Sequence, residues 1–224
     1  MDAPATTESP ISLTRQSYER LRSDVLDGRL KPGQKLLMHE LRERYASGAS
    51  PLREALSRLA TEGLVVHNDQ RGFVVAGASA DQLRDLVRTR IAVESMALAQ
   101  AMASPEPEWE EQLVLAFHRL SRAPRSLRED SYEENPQWER LHRDFHFALL
   151  RGCDSPLLLG FCEQLYDQAY RYRQLAARTA HKRRNELDEH RAIFDAVMGH
   201  RLADAQRLMA EHYERTAKLF DTAG

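Results

Sequence analysis

The chain has 224 residues, of which 29% are charged and 42% hydrophobic, as in an ordinary globular protein of one or two domains. No apolar run approaches the roughly 18 residues that a membrane helix needs, and the polar N-terminal stretch MDAPATTESP lacks the apolar core of a secretion signal. The net charge of −2 argues weakly against nucleic-acid binding, but residues 11–76 carry eleven Arg and Lys against eight Asp and Glu, so the whole-chain charge can mask a basic domain.

The first elements are two helices joined by a break. Residues 12–30 predict an amphipathic helix because their apolar side chains recur at helical spacing. The Lys-Pro-Gly sequence at 31–33 interrupts it. A short second helix is expected over residues 37–45, followed by a tight turn over residues 46–49.

A third helix is predicted over residues 51–62. Ser50 is its expected N-cap, because a serine hydroxyl can accept a hydrogen bond from a free amide of the first turn. Pro51 is expected at the first helical position, where a missing amide hydrogen costs little. Gly63 then ends the helix.

Two β-type runs follow at residues 64–66 and 72–75, and the polar loop at 67–71 joins them into a predicted hairpin. Three helices with a short second helix and a tight turn, followed by a two-stranded wing, form the winged helix-turn-helix pattern. We therefore predict a DNA-binding domain over residues 12–76.

The third helix of such a domain presents its N-terminal turn to the major groove. Ser50 and Arg53 can there reach phosphates or base edges, and an arginine can pair with guanine through two hydrogen bonds. The alternative for Arg53 and Arg58 is that they only solvate a helix face, but the order of the elements favours a role with DNA. The wing contributes three further candidates that can follow the DNA backbone or the minor groove: Gln70, Arg71 and Gly72.

These motifs resemble the GntR family of regulators. The resemblance rests on SPLREALSRL at 50–59, EGL at 62–64 and RGFVV at 71–75, and it extends to LKPG at 30–33. It implies DNA contacts from the third helix, from the wing tip and from the start of the second helix. Pattern and resemblance together give one set of DNA-binding candidates: His39, Ser50, Pro51, Arg53, Arg58, Gln70, Arg71 and Gly72.

One position departs from that family's pattern. The family usually has Ser-Arg just before its third helix, whereas this chain has Gly48 and Ala49. The resemblance therefore implies that a common DNA-contacting arginine is missing and that the operator differs from the commonest family consensus.

The chain after Ser79 is predicted to be helical, with about six helices up to Ala223. We expect an all-α effector and metal-binding domain over residues 79–220, so the whole chain is mainly α. The two cysteines, Cys153 and Cys162, lie in this helical part and suggest no disulfide framework, which favours a cytoplasmic location.

Four histidines in this part are candidate metal ligands. His142 and His146 are four residues apart, so both imidazoles lie on one helical face, where they can chelate one ion. His190 begins an apolar stripe, and His212 lies near further apolar residues. Each histidine alone is more often a core residue, but a shared metal would satisfy several buried imidazoles at once, and Zn²⁺ or Ni²⁺ suits such ligands.

The order and spacing of these histidines resemble the FCD domain of the FadR subfamily, whose members are bundles of six or seven helices. Many of them hold a metal with one Asp and three His. The resemblance places His146, His190 and His212 on the histidine positions and His142 where the family has Asp. The implied metal is Zn, with Ni or Mn as alternatives. An all-His set carries no ligand charge, which makes the site more attractive to an anionic effector.

The sensor segment, residues 138–173, resembles most closely the glutarate-responsive repressors of the CsiR/GlaR type. This resemblance implies repression of genes for glutarate or related C5 dicarboxylate catabolism, relieved by that metabolite. One carboxylate would complete the metal coordination and an arginine would hold the other, although a solvated face is the alternative for each arginine. Two helices supply the effector-binding candidates: Arg90, Glu94, Tyr170, Arg171 and Arg173.

The sequence thus predicts a homodimeric repressor on a palindromic operator. One alternative is a helical metal-dependent enzyme, but HRDFH at 142–146 lacks the glutamate of a HExxH site, and no nucleophile or phosphate-binding motif is present. A second alternative is a regulator whose signal is the metal itself. A third is that no metal binds and the histidines are core residues.

Overall fold

The computed structural model describes residues 13–68, 72–180 and 185–221, and it divides into two units, Met1–Ala78 and Ser79–Gly224. Gln70 and Arg71, two of the predicted DNA contacts, lie outside the described residues.

The first unit has three helices and a small antiparallel sheet. The strand order is β1-β3-β2, so the predicted hairpin of β2 and β3 is joined by a two-residue strand that sequence patterns did not predict. Leucines of α1 and α3 form its core, since α1 packs mainly on α3 and Leu21, Leu52 and Leu56 are fully buried. The elements are α1 (Leu13–Leu26), β1 (Lys35–Leu36), α2 (Met38–Tyr45), α3 (Ala49–Thr61), β2 (Val65–Asn68) and β3 (Gly72–Val75).

Two helix boundaries differ from the prediction. The first helix ends at Leu26 instead of residue 30, because Gly28 adopts a positive φ of 69° and turns the chain back into the core. The third helix starts earlier than expected: Gly48 is the N-cap, and its carbonyl accepts the first helical hydrogen bond from the Leu52 amide at 3.3 Å. The prediction of Ser50 as N-cap and Pro51 at the first helical position was therefore wrong, since both lie within the first turn of α3.

The second unit is helical. Over the described residues it contains six helices, and α4 is its centre because α6, α7 and α9 all pack against it. The helices are α4 (Ala80–Ala103), α5 (Pro107–Arg122), α6 (Pro136–Leu150), α7 (Pro156–Ala180), α8 (Glu186–Met198) and α9 (Leu202–Asp221). Within the described ranges, no helix is both long and apolar enough to cross a membrane.

Side-chain caps fix where the histidine-bearing helices begin. The Asn135 side chain accepts hydrogen bonds from the amides of Gln137 and Trp138 at the start of α6. Asn185 does the same for the Asp188 amide at the start of α8. Because a cap sets the helix start, it also sets which residues face the core a turn or two later.

Candidate metal centre and sensor cavity

Four buried histidines meet at the centre of the second unit. His142 and His146 come from α6, His190 from α8 and His212 from α9, and each is at most 4% exposed. One ring nitrogen from each lies within 4.8 Å of the others. Histidine nitrogens lie about 2.0–2.1 Å from a bound Zn²⁺, so the ligands of one tetrahedral ion are roughly 3.4 Å apart, and the four rings would have to move closer together to hold it.

Burial keeps two of these imidazoles neutral. Desolvation is the main cause that lowers the pKa of His142 and of His146 well below the ordinary value of 6.5. The charge of Arg173 lowers the pKa of His142 further, and His212 does the same for His146. A neutral imidazole is the form that binds metal, so these groups bind without first losing a proton.

Neighbouring polar groups orient the rings. His142 Nδ1 lies 2.8 Å from the Tyr166 hydroxyl, which turns His142 Nε2 to within 3.1 Å of His146 Nε2. His212 Nδ1 donates to Glu189 Oε2 at 2.8 Å, so Nδ1 carries the proton and Nε2 is the nitrogen that could bind an ion. A carboxylate behind a histidine is the usual support of a metal ligand. The donor set, its neutral charge and this support all fit a divalent metal.

A small cavity adjoins three of these histidines. Its volume is about 20 Å³, space for roughly one water molecule. Arg90, Arg173, Tyr213 and Thr216 supply its other polar walls, and apolar residues of α4 and α7 complete it.

Arg90 is almost fully buried, with 4% of its surface exposed. Its Nε donates to Glu94 Oε1 at 2.7 Å, and its guanidinium lies 4.0 Å from the Tyr213 ring centroid. Burial lowers the pKa of Arg90, but the charge of Glu94, its hydrogen bond and Tyr213 together outweigh burial, so the pKa is raised and the cation persists. Arg90 Nη2 has no hydrogen-bond partner among the described residues. A buried donor left unsatisfied costs about 1–3 kcal/mol, so this nitrogen favours an acceptor ligand.

Arg173 on α7 is a second buried, ion-paired arginine beside the cavity. Its Nη2 donates to Glu139 Oε2 at 2.8 Å and to the Tyr166 hydroxyl at 3.3 Å. Its Nε has no hydrogen-bond partner in the described part of the chain. Burial lowers the pKa of Arg173, but Tyr166 and Glu139 outweigh it, so the pKa is raised. Two cations with spare donors therefore border one cavity.

The remaining effector candidates lie elsewhere. Glu94 is behind Arg90, where its second oxygen accepts from the Tyr213 hydroxyl at 2.5 Å. Tyr170 donates to Glu134 Oε1 at 2.6 Å, and the Arg171 guanidinium lies 5.0 Å from the Tyr172 ring centroid. Neither Tyr170 nor Arg171 lines the cavity. Residues two apart on a helix point to opposite sides, which separates Arg171 from Arg173.

Sequence patterns missed four residues of this site: Glu139, Tyr166, Glu189 and Tyr213. Spacing could have indicated two of them. Glu139 is three residues before His142, and Tyr166 is seven before Arg173, so each shares a helical face with a candidate. Glu189 and Tyr213 neighbour His190 and His212 in sequence, but only the packing of α8 and α9 shows their roles.

In the first unit, the predicted DNA contacts that are described lie at the surface. His39 is exposed at the start of α2, Ser50 and Arg53 are exposed in the first turns of α3, and Gly72 is exposed with φ at 70°. Pro51 is half-buried in that first turn.

Arg58 lies farther along α3 and has two partners within the chain. Its guanidinium lies 3.8 Å from the Tyr18 ring centroid, and its Nε lies 3.4 Å from Glu62 Oε1. These contacts give Arg58 a place in the packing of α1 on α3, alongside its predicted role with DNA.

Comparison with known families accounts for both units. The family of bacterial regulatory proteins, gntR family, matches residues 13–75, and the FCD domain matches residues 85–215. The chain belongs to the GntR family and carries an FCD domain. As a member of that family it is a ligand-responsive, DNA-binding transcription regulator.

Similar proteins are regulators as well. The uncharacterized regulator BphR of Paraburkholderia xenovorans (strain LB400) is 37% identical over 212 residues, which cover 95% of this chain and 86% of BphR. The transcriptional repressor GlaR of Escherichia coli (strain K12) is 35% identical over 199 residues, 87% of this chain and 90% of GlaR. The two family matches confirm the prediction of a GntR regulator with an FCD domain, and these relatives are transcription regulators, not enzymes, as predicted.

Solved structures confirm the predicted fold. The E. coli protein McbR/YncC has a TM-score of 0.72 at 24% identity, over 96% of this chain and 100% of its own. The structure of a protein described as a transcriptional regulator GntR from Rhodococcus sp. RHA1 has a TM-score of 0.73 at 20% identity. The match covers 94% of this chain and 98% of that chain. The predicted fold class, a winged helix-turn-helix followed by a helical bundle, is correct.

Proposed function

We propose that the chain is a cytoplasmic repressor of a small-carboxylate catabolic operon, released from its operator when glutarate or a related C5 dicarboxylate binds in the FCD cavity. One observation carries the proposal: Arg90 and Arg173 border the cavity, and each has a buried nitrogen without a hydrogen-bond partner in the described residues. Buried N–H donors of a guanidinium favour a carboxylate. The similarity to GlaR, itself named a repressor, supports repression.

The charges of the site favour a dianion. Glu94 balances Arg90, and Glu139 balances Arg173, while burial lowers the pKa of His142 and His146 and keeps these imidazoles neutral. We propose Zn²⁺ at the four histidines, with Ni²⁺ or Mn²⁺ as alternatives; an ion bound there would offer one carboxylate a fifth ligand position. Glu189 behind His212 could offset part of the ion's two positive charges, but Glu189 also pairs with Arg215 at 3.3 Å, so a dicarboxylate would supply further negative charge.

The cavity is too small for the ligand as it stands. About 20 Å³ holds roughly one water, so a dicarboxylate enters only if the surrounding side chains move. A ligand that binds the opened form better than the closed form shifts the protein toward the opened form. That requirement makes the cavity a suitable switch, and a coupling of about 1–3 kcal/mol is typical of such switches.

At the other end of the mechanism we propose a homodimer on a palindromic operator, since winged helix regulators read two half-sites with their own symmetry. The exposed first turns of α3 would enter the major groove, with Arg53 at base edges. Contacts from α2 and the wing would fix the position on the backbone. The proposed DNA-binding set stays His39, Ser50, Pro51, Arg53, Arg58, Gln70, Arg71 and Gly72.

The test is a thermal-shift screen of the metal-loaded protein against C4 to C6 dicarboxylates and matched monocarboxylates. A ligand at about 100 times its dissociation constant stabilises the folded state by about 2.7 kcal/mol. We expect the largest shift with glutarate, lost in Arg90→Ala and retained in Arg88→Ala, whose side chain is 76% exposed on the same helix. No shift with any acid would contradict the proposed effector.

A second candidate function is metal sensing, because four histidines complete a four-coordinate site without an organic ligand. Operator affinity of the metal-free and metal-loaded protein, with no acid present, separates the two. A difference much larger than that caused by any acid would favour the metal as the signal.

A further inference from the structure

The two arginines of the cavity are held differently. Arg90 pairs with Glu94 one turn further along its own helix, at 2.7 Å. Arg173 on α7 pairs instead across the bundle with Glu139 on α6, at 2.8 Å. The side chains of Arg173 and Glu139 are 7% and 8% exposed, so their ion pair is largely removed from water.

Glu139 is part of the sensor core. It precedes His142 by three residues on α6, so the two share a face of that helix. While one Glu139 oxygen accepts from Arg173, the other accepts from Gln174 Nε2 at 2.6 Å. The Tyr132 hydroxyl in turn donates a hydrogen bond to Gln174 Oε1 at 2.7 Å. Glu139 therefore gives Arg173 the charged acceptor that an effector carboxylate would give.

We propose that Glu139 is an internal competitor of the effector: its carboxylate occupies Arg173 in the ligand-free sensor and sets the effector concentration at which the sensor responds. This inference rests on the proposed function of the cavity. An incoming carboxylate must either displace Glu139 from Arg173 or share the guanidinium with it. Sharing places two negative charges side by side in a site with little water, where like charges repel strongly.

The competition is selective for ligands with a second carboxylate. A monocarboxylate that uses its single charged group at the histidine centre leaves the Arg173–Glu139 pair intact. A dicarboxylate brings its second group to Arg173 and meets Glu139 there. Glu139 therefore lowers the affinity of the sensor for dicarboxylates and leaves its affinity for monocarboxylates unchanged.

The test is isothermal titration of the full-length, metal-loaded protein with glutarate and with valerate. Glu139→Gln keeps the side-chain shape and an acceptor oxygen but removes the charge. Hydrogen bonds to charged groups are stronger than neutral ones, and the difference predicts a dissociation constant for glutarate about fivefold lower or more in the variant. The constant for valerate should not change. Glu163→Gln is the matched control, since it removes the same charge from a side chain that is 56% exposed.

Suppose that the wild type binds glutarate and that Glu139→Gln binds it with an equal or higher dissociation constant. This result would contradict the role of Glu139 as a competitor but would not contradict glutarate as the effector. No binding of any acid by either protein would contradict both. Binding by the variant alone would support the competitor most strongly. If Glu139→Gln does not fold or load metal, Glu139→Asp retracts the carboxylate by one methylene and should also lower the constant, and its failure to do so would overturn the proposal.

Discussion

The two units treat their buried charges in opposite ways. In the DNA-binding unit, Asp24 is saturated: it accepts from Tyr45 at 2.6 Å and from Arg29 at 2.5 Å, and it pairs with Arg44 at 2.6 Å. In the sensor unit, Arg90 and Arg173 each retain a buried nitrogen that no described residue satisfies. A buried charge whose hydrogen bonds are all made within the chain stabilises a fixed fold, whereas buried donors without a partner beside a cavity favour a ligand. The difference is consistent with a structural role for Asp24 and a ligand-binding role for the two arginines.

The largest expected effect is the loss of the metal centre. His146→Ala removes a buried ligand from the centre of the histidine cluster. Changes to groups behind a ligand typically reduce metal affinity about 10–100-fold, so loss of the ligand itself should cost roughly 100-fold or more. Competition with a chelator measures this, and His118→Ala, on the exposed face of α5, is the control that should keep wild-type affinity. Equal affinity in the two variants would mean that the histidines are core residues.

Next in size is the loss of the Asp24 network. Asp24→Asn removes a carboxylate with three partners, and one hydrogen bond to a charged group is worth about 1.5–3 kcal/mol. We expect the free energy of unfolding of the DNA-binding unit to fall by about 2 kcal/mol. Hydrogen-exchange protection of the α3 amides reports this unit separately from the sensor. Asp81→Asn, at a side chain that is 91% exposed, should change nothing.

The same carboxylate predicts a dependence on pH. Burial alone would raise the pKa of Asp24, but hydrogen bonds from Tyr45 and Arg29 outweigh it, so the pKa lies below the ordinary value of 3.8. A lowered pKa in the folded state gives stability that is present above the unfolded pKa and lost as pH falls through the folded one. Protection of α3 should therefore decrease between about pH 5 and about pH 3, and less steeply in Asp24→Asn. Equal slopes would remove Asp24 as the cause.

The last two effects distinguish two arginines of α3, and the smaller of them belongs to Arg58. Arg53 is exposed in its early turns, and loss of a base-contacting arginine costs about 1–3 kcal/mol of operator affinity. Arg58 lies over the Tyr18 ring, a cation–π contact worth about 0.5–1 kcal/mol at an exposed site. Arg53→Ala should therefore weaken binding to a selected operator fragment without changing stability. Arg58→Ala should lower stability, and any further loss of operator affinity would measure its predicted role with DNA.

The sequence predicted what depends on spacing along one helix. The pair His142 and His146 follows from helical periodicity, whereas Arg90 and Glu94 were named through the resemblance to the FCD domain. Spacing along one helix could not predict which side chains of different helices contact each other. The face of α7 on which Arg173 lies is fixed by its packing on α4 and α9, so the sequence named Arg171 equally. The two-residue strand β1 was missed because a run so short shows no periodic pattern. Ser50 was wrongly predicted as the N-cap because the N-cap of α3 is Gly48, which has no side chain to signal a cap in the sequence.

The most direct test of the sensor is operator affinity of the metal-loaded protein with and without saturating glutarate. Fluorescence anisotropy on an operator fragment measures both dissociation constants under one salt condition. A coupling of 1–3 kcal/mol predicts that glutarate raises the operator dissociation constant about 5- to 150-fold. The same rise should be absent in Arg90→Ala and present in Arg88→Ala. Equal operator affinity with and without glutarate, in protein that binds glutarate, would contradict the proposal that this cavity controls DNA binding.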